Sequence, residues 1–115
     1  MNDLTVKLFE EIRKDIKIRI YARITENNEL MVEGVDSGEL VEKLKGDWDY
    51  EYCLTVKKSN KDLLIQKLRD DNIQIIDDKE LLNWIKANYS GNNAFSSFQS
   101  FLTSENIDFK MYTWI

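Results

Sequence analysis

Between Trp48 and Lys57 the chain alternates without a break. Trp48, Tyr50, Tyr52, Leu54 and Val56 fall on one side, and Asp49, Glu51, Cys53, Thr55 and Lys57 on the other. Successive side chains of a strand point to opposite faces, so an extended segment gives this pattern one apolar and one polar face. A strand of that kind buries its apolar side against another layer, which the rest of the chain has to supply.

Two more stretches share the period of two. Ile16, Ile18, Ile20, Ala22 and Ile24 alternate with Lys17, Arg19, Tyr21, Arg23 and Thr25, which predicts a strand, and Leu30 to Val35 predicts its return. A loop of Glu26 to Asn28 pairs Ile24 with Leu30, Ala22 with Val32 and Tyr21 with Glu33. A slip of one residue would turn one apolar set to the other face, so the pattern selects this register. It asks Asn28 for a left-handed conformation, which asparagine tolerates. Ile107 to Ile115 alternates again and predicts a final strand, with Tyr112 and Trp114 out of phase with Ile107, Phe109 and Met111.

The remaining segments carry helical spacing. Leu4, Leu8, Phe9 and Ile12 predict a short amphipathic helix over residues 3–14, capped by Asp3 or Thr5; an extended lead into the first strand is the alternative. Asp36 and Glu39 have the spacing of a capping box, ahead of an inward stripe of Leu40, Val41 and Leu44 and a left-handed stop at Gly46. Ser59 or Asn60 opens a helix to about Asp70, with Leu63, Leu64 and Leu68 inward. Asn72 to Ile76 reads equally as a linker or a minor strand. Asp77 and Glu80 repeat the capping-box spacing before Leu81, Leu82, Trp84, Ile85 and Tyr89, and Asn92 opens a helix whose Ala94, Phe95, Phe98, Phe101 and Leu102 stripe needs burial. The whole predicts one α+β domain over residues 1–115, with a mainly antiparallel sheet of about four strands and helices packed on one face.

Chemistry is limited by what is missing. The chain has no histidine, which removes the commonest general base and metal ligand, and its single cysteine can form neither an internal disulfide nor a thiolate zinc site. Carboxylates around Cys53 disfavour its thiolate, and the four glycines have no phosphate-binding spacing. No catalytic residue, metal site or cofactor is predicted. The net charge of −5, with bases interspersed among acids, argues against nucleic acid and against an anionic membrane surface. The first residues lack a basic segment followed by an apolar run, and the expected location is the cytoplasm.

The candidate binding residues are therefore acids and aromatics. Asp47, Asp49 and Glu51 recur every second residue, which places three carboxylates on one strand face. Such oxygens can hold Mg²⁺ or Ca²⁺, form an ordinary solvated face, or complement a basic protein. Asp70 and Asp71 fall near a helix C-terminus, where the dipole opposes them, so a partner is a natural source of compensation. Tyr112 and Trp114 are candidate anchors on an edge strand, which also allows self-association.

Small size, acidity, absent catalytic groups and aromatics interleaved with carboxylates together resemble the small acidic immunity proteins that protect bacteria from toxins of their competitors. The resemblance lies in general character and brings no motif residue with it. It implies a non-catalytic inhibitor that covers a basic toxin domain by direct binding. A small regulatory or structural interaction module is the alternative.

Overall fold

The computed structural model describes residues 4–114, the last of them by its backbone alone. Among these residues the chain forms β1 (Leu4–Ile12), β2 (Lys17–Ile24), β3 (Leu30–Ser37), α1 (Glu39–Lys45), β4 (Asp49–Val56), α2 (Lys58–Asp70), α3 (Asp78–Asn88), α4 (Ala94–Ser104) and β5 (Lys110–Trp114). The fold is α+β: one antiparallel sheet whose five described strands lie side by side in chain order.

The fifth strand is β1, where helical spacing predicted a helix. Leu4 and Val6 lie opposite Ile24 and Ala22; the register then slips between Lys7 and Phe9, so that Phe9 lies opposite Ile20. One extra residue in a strand moves the alternation by one. Leu8 is buried within the bulge and Phe9 packs on the core beside it, so an interrupted period of two imitates a period near four. The Leu8 carbonyl accepts the Gly91 N–H at 3.2 Å, tying the α3–α4 connection to the bulge. Asp3, one of the two caps for that helix, lies outside the described residues.

β2 and β3 pair as the alternation predicts: Ile24 with Leu30, Ala22 with Val32, and Tyr21 with Glu33. Asn28 is left-handed, with φ of 61°. The start of α1 departs from expectation. Gly38, not Asp36, is its N-cap, at a φ of 123° that a side chain adopts only with strain. A Cβ there would also stand 2.7 Å from the Asp15 carbonyl oxygen. Asp36 remains in β3 and accepts the Tyr52 hydroxyl at 3.1 Å, a partner that only the β3–β4 pairing brings to it. Gly46 ends α1 at φ 82° as predicted, but Leu44 is exposed rather than inward.

The core lies between one face of the sheet and the helices. Ile18, Ile20, Ala22, Ile24, Leu30, Val32, Leu54 and Val56 meet Leu64 and Leu68 of α2, Leu81, Leu82 and Ile85 of α3, and Phe98 and Leu102 of α4. α3 lies against β1 and β2, α4 against β3, and α1 against β3 and β4. Trp84, Tyr89, Phe98 and Phe101 stack between α3 and α4, with ring centroids 5.4 to 6.0 Å apart. The second capping box forms in part: Asp77 accepts the Glu80 N–H at 2.9 Å, while the Glu80 carboxylate reaches past the N-cap and accepts the Ile76 N–H at 3.3 Å.

Other local expectations change. α2 starts without a side-chain cap, and Leu63 is exposed. Residues 73–76 form no strand, although Ile75 is buried, and β5 begins only at Lys110. Lys61 of α2 is buried and donates to Asp78 at 2.9 Å, which fixes the start of α3 against α2.

Candidate functional site

The helices cover one face of the sheet and leave the other open. Alternation assigns the open face: Lys17, Arg19, Tyr21 and Arg23 from β2, Met31, Glu33, Val35 and Ser37 from β3, and Asp49, Glu51, Cys53 and Thr55 from β4. β5 adds Lys110 and Tyr112. Among the described residues Glu33 pairs with Arg23 at 2.9 Å, and the Arg23 guanidinium also touches the Met31 sulfur at 3.2 Å. Cys53 is buried beneath its cross-strand neighbours Glu33 and Tyr112. Burial raises its thiol pKa, and Glu33 adds to the shift, so the sulfur stays protonated near neutrality.

The predicted carboxylates separate at this level. Asp49 and Glu51 stand on the open face of β4. Asp47 precedes the strand, and its carboxylate accepts the Trp48 N–H at 2.7 Å, so the three acids do not share a strand face. Asp70 and Asp71 are exposed at the end of α2, in the helical layer on the other side of the sheet, and Asp70 accepts from the Gln66 side chain at 3.0 Å. Tyr112 lies on the open face, 47% exposed and opposite Cys53. Trp114 pairs with Glu51 through its backbone; its side chain lies outside the described part of the structure.

The chain concentrates its acidity in one stretch. Residues 26–51 hold nine acids against Lys43 and Lys45, while the rest of the chain holds twelve acids against fourteen bases. Those two cations are engaged locally: Lys43 pairs with Glu39 at 3.7 Å, and the Lys45 ammonium sits over the Tyr50 ring at 4.7 Å from its centroid. Glu42, Asp49 and Glu51 make no ion pair among the described residues. This stretch folds as the β2–β3 turn, β3, α1 and the start of β4: Glu26 and Glu29 lie at the turn, at the far end of β3, and the exposed Glu39, Glu42, Asp47, Asp49 and Glu51 belong to α1 and the segment that leads into β4.

At this α1–β4 corner stand apolar side chains that the sequence pattern had assigned to buried faces, Trp48 by alternation and Leu44 and Ile12 by helical spacing. The β4 pairing begins only at Asp49, and Trp48 is 52% exposed. Its carbonyl accepts the Gly38 N–H at 3.0 Å, which holds it beside the start of α1. Trp48 and Ile12 border a shallow cleft of about 290 Å³, closed on its remaining sides by Arg13 to Lys17 and by Ser37 to Glu39. Glu42, Leu44 and Asp47 are exposed in the same α1–β4 segment. An exposed tryptophan with charged side chains around it, the acids of α1 and Asp47 on one side and Arg13, Lys14 and Lys17 across the cleft, has the composition of an interface anchor and its rim. Sequence reasoning named Asp47, Asp49 and Glu51 here but set Trp48 on the buried face of the strand, and it missed the acid of α1, Glu42, because it weighed net charge over the whole chain. A running count of acids would have found it.

A second polar feature is structural. Tyr52 lies over Gly34, where a Cβ would come within 2.3 Å of its ring, and meets Phe95 edge-on at 4.9 Å. Burial raises the Tyr52 phenol and the Asp36 carboxyl above their ordinary pKa values, with the Tyr52 hydrogen bond partly opposing the shift of Asp36. Among the described residues no group of His, Cys, Asp and Glu is arranged to hold a metal, and no helix is long and apolar enough to cross a membrane. No protein-family model matches the chain, and neither a curated protein nor a solved structure shows significant similarity to it.

Proposed function

We propose that this protein is a non-catalytic, protein-binding inhibitor: an immunity protein that acts in the bacterial cytoplasm and neutralises a cognate toxin by direct binding. The observation that supports the reading is the exposed Trp48 within a chain segment, residues 42–51, whose acids Glu42, Asp47, Asp49 and Glu51 make no ion pair among the described residues. Exposed carboxylates attract a basic partner and speed its encounter, while a desolvated tryptophan carries much of the affinity. Glu42, Asp47, Asp49 and Glu51 supply the field, and Trp48 with Leu44 and Ile12 supplies the apolar contact. Blocking a basic domain in this way needs no catalytic group on the inhibitor. Asp70 and Asp71 belong to the helical layer and take no part in this surface.

The test is co-expression with the product of the neighbouring reading frame, followed by binding of the purified pair. Protection of the host cell and one-to-one binding that weakens with salt are expected. Trp48→Ala should weaken the complex by roughly 2 kcal/mol or more while leaving the thermal midpoint of the free protein nearly unchanged. Neither protection nor a complex would end the immunity reading. A second reading, a small regulatory or structural interaction module, draws support from the uncovered sheet face and predicts no toxin-like reading frame beside the gene.

A further inference from the structure

The open face of the sheet has opposite charge on its two halves. β2 presents Lys17 and Arg19, and β4 presents Asp49 and Glu51, with β3 between them. The register aligns them in rows: Arg19, Val35 and Glu51 in one, and Lys17, Ser37 and Asp49 in the next. Strands two apart are separated by roughly 10 Å, too far for a direct ion pair. Accordingly, none of these four charges has an ion-pair partner among the described residues.

We infer that this face binds a second copy of the chain, about a two-fold axis running along β3. Such an axis lays β2 of one copy over β4 of the other and keeps each row in place. Arg19 then meets Glu51 of the second copy, Lys17 meets its Asp49, and both contacts occur twice. Along the axis itself Met31 and Val35 face their own counterparts, and Glu33 between them does so as well, its charge offset within each copy by the Arg23 pair. A two-fold across the strands would instead bring β2 over β2 and β4 over β4, setting like charges against each other. The first arrangement is self-complementary, as an isologous interface requires.

Two further observations point to a second copy. The protein carries a net charge of −5, yet Lys17 and Arg19 balance Asp49 and Glu51 on this face, and Arg23 balances Glu33. Here, unlike the α1–β4 corner, the acids of two approaching molecules each have a compensating base on the same face. The face is also broad: five strands and about eight residues span roughly 20 by 26 Å, about 500 Å² per copy in projection, the size of a small interface that dissociates on dilution. The Trp48 corner stays at the margin, where Glu42 and Asp47 remain exposed, whereas Asp49 and Glu51 serve both surfaces, so the dimer competes with a partner for these two acids.

Sedimentation velocity of the full chain from micromolar to high micromolar concentration should show a monomer–dimer equilibrium that shifts to monomer at high salt. Arg19→Glu alone, and Glu51→Arg alone, should each weaken self-association by roughly 100-fold or more, since each places two like-charge contacts in the dimer. The two single variants mixed together should form a heterodimer as tight as wild type, because both contacts regain opposite charge. The double variant should self-associate again for the same reason. Far-UV circular dichroism of each variant separates these effects from loss of fold. A wild type that stays monomeric throughout, single variants that dimerise like wild type, or folded variants that show no rescue on mixing would each overturn the inference.

Discussion

The two faces of the sheet come from the same strands, yet α2, α3 and α4 close one of them and the other is left to water. On the covered face Ile20, Ala22, Leu30, Val32, Leu54 and Val56 have almost no exposure. On the open face Arg19, Tyr21, Met31, Glu33 and Val35 are half-buried, screened by one another rather than by a second layer. The lesson is about tolerance. A covered position is fixed by volume, an open one by charge and by what the protein binds. The inward face therefore reports on stability, and the outward face on association.

The largest effect that would break this comparison comes from size. Phe98→Ala should cost about 3 to 5 kcal/mol in chemical denaturation, because Phe98 is fully buried and its ring also holds Tyr89 and Phe101. Val35→Ala, on the open face of the same sheet, should cost about 1 kcal/mol or less. Equal losses would mean that the open face is packed in a way this fold does not provide.

Gly34→Ala tests a place where the covered face has no room. The new methyl would occupy the space of the Tyr52 ring, so the ring must swing away from Phe95 and its hydroxyl must leave Asp36. A loss of roughly 1 to 3 kcal/mol is expected. It should shrink in Tyr52→Leu, whose side chain is smaller and adaptable. A cost independent of residue 52 would place the constraint in the backbone.

Asp36→Asn sharpens the comparison through pH. Burial raises the folded-state pKa of Asp36 above its unfolded value, so the folded state binds its proton more tightly. That contribution favours folding at low pH and is lost as pH rises through the raised value. Relative to Asp36→Asn, which keeps an acceptor for Tyr52 and carries no charge, wild type should therefore lose stability as pH rises from acid toward neutral. The gap should close in acid, where both proteins carry an uncharged side chain at position 36. Parallel stability curves for the two proteins would remove the burial argument.

How far the sequence discloses this fold depends on the range of the interactions involved. The β2–β3 register and the left-handed Asn28 were legible, because both follow from alternation across a short turn. So were the Asp77 cap and the Gly46 stop, which are settled within a few residues. β1 was hidden by its bulge, since one inserted residue turns a strand's period into something close to a helix's. Asp36 had the spacing of a cap, but β4 brought it the Tyr52 hydroxyl, and Gly38 could turn where Asp36 could not. Of the candidate site, Asp49, Glu51 and Tyr112 could be assigned to one face from phase alone. That Trp48 leaves the strand and Asp47 turns back on it depends on where pairing stops, which alternation does not encode.

The order of strands has a consequence for assembly. β1 to β4 are joined to their neighbours by short segments, whereas the path from β4 to β5 runs through three helices, residues 57–109. Closing a loop about ten times longer than the β2–β3 turn costs about 2 kcal/mol more in chain entropy, and β5 offers only five residues of pairing in return. The four-stranded meander can therefore zip up first, with β4 as its temporary border, and β5 joins once the helices have docked. The same inequality holds in reverse. When the native sheet breathes, β5 is the strand that lets go, and β4 is the rim it uncovers.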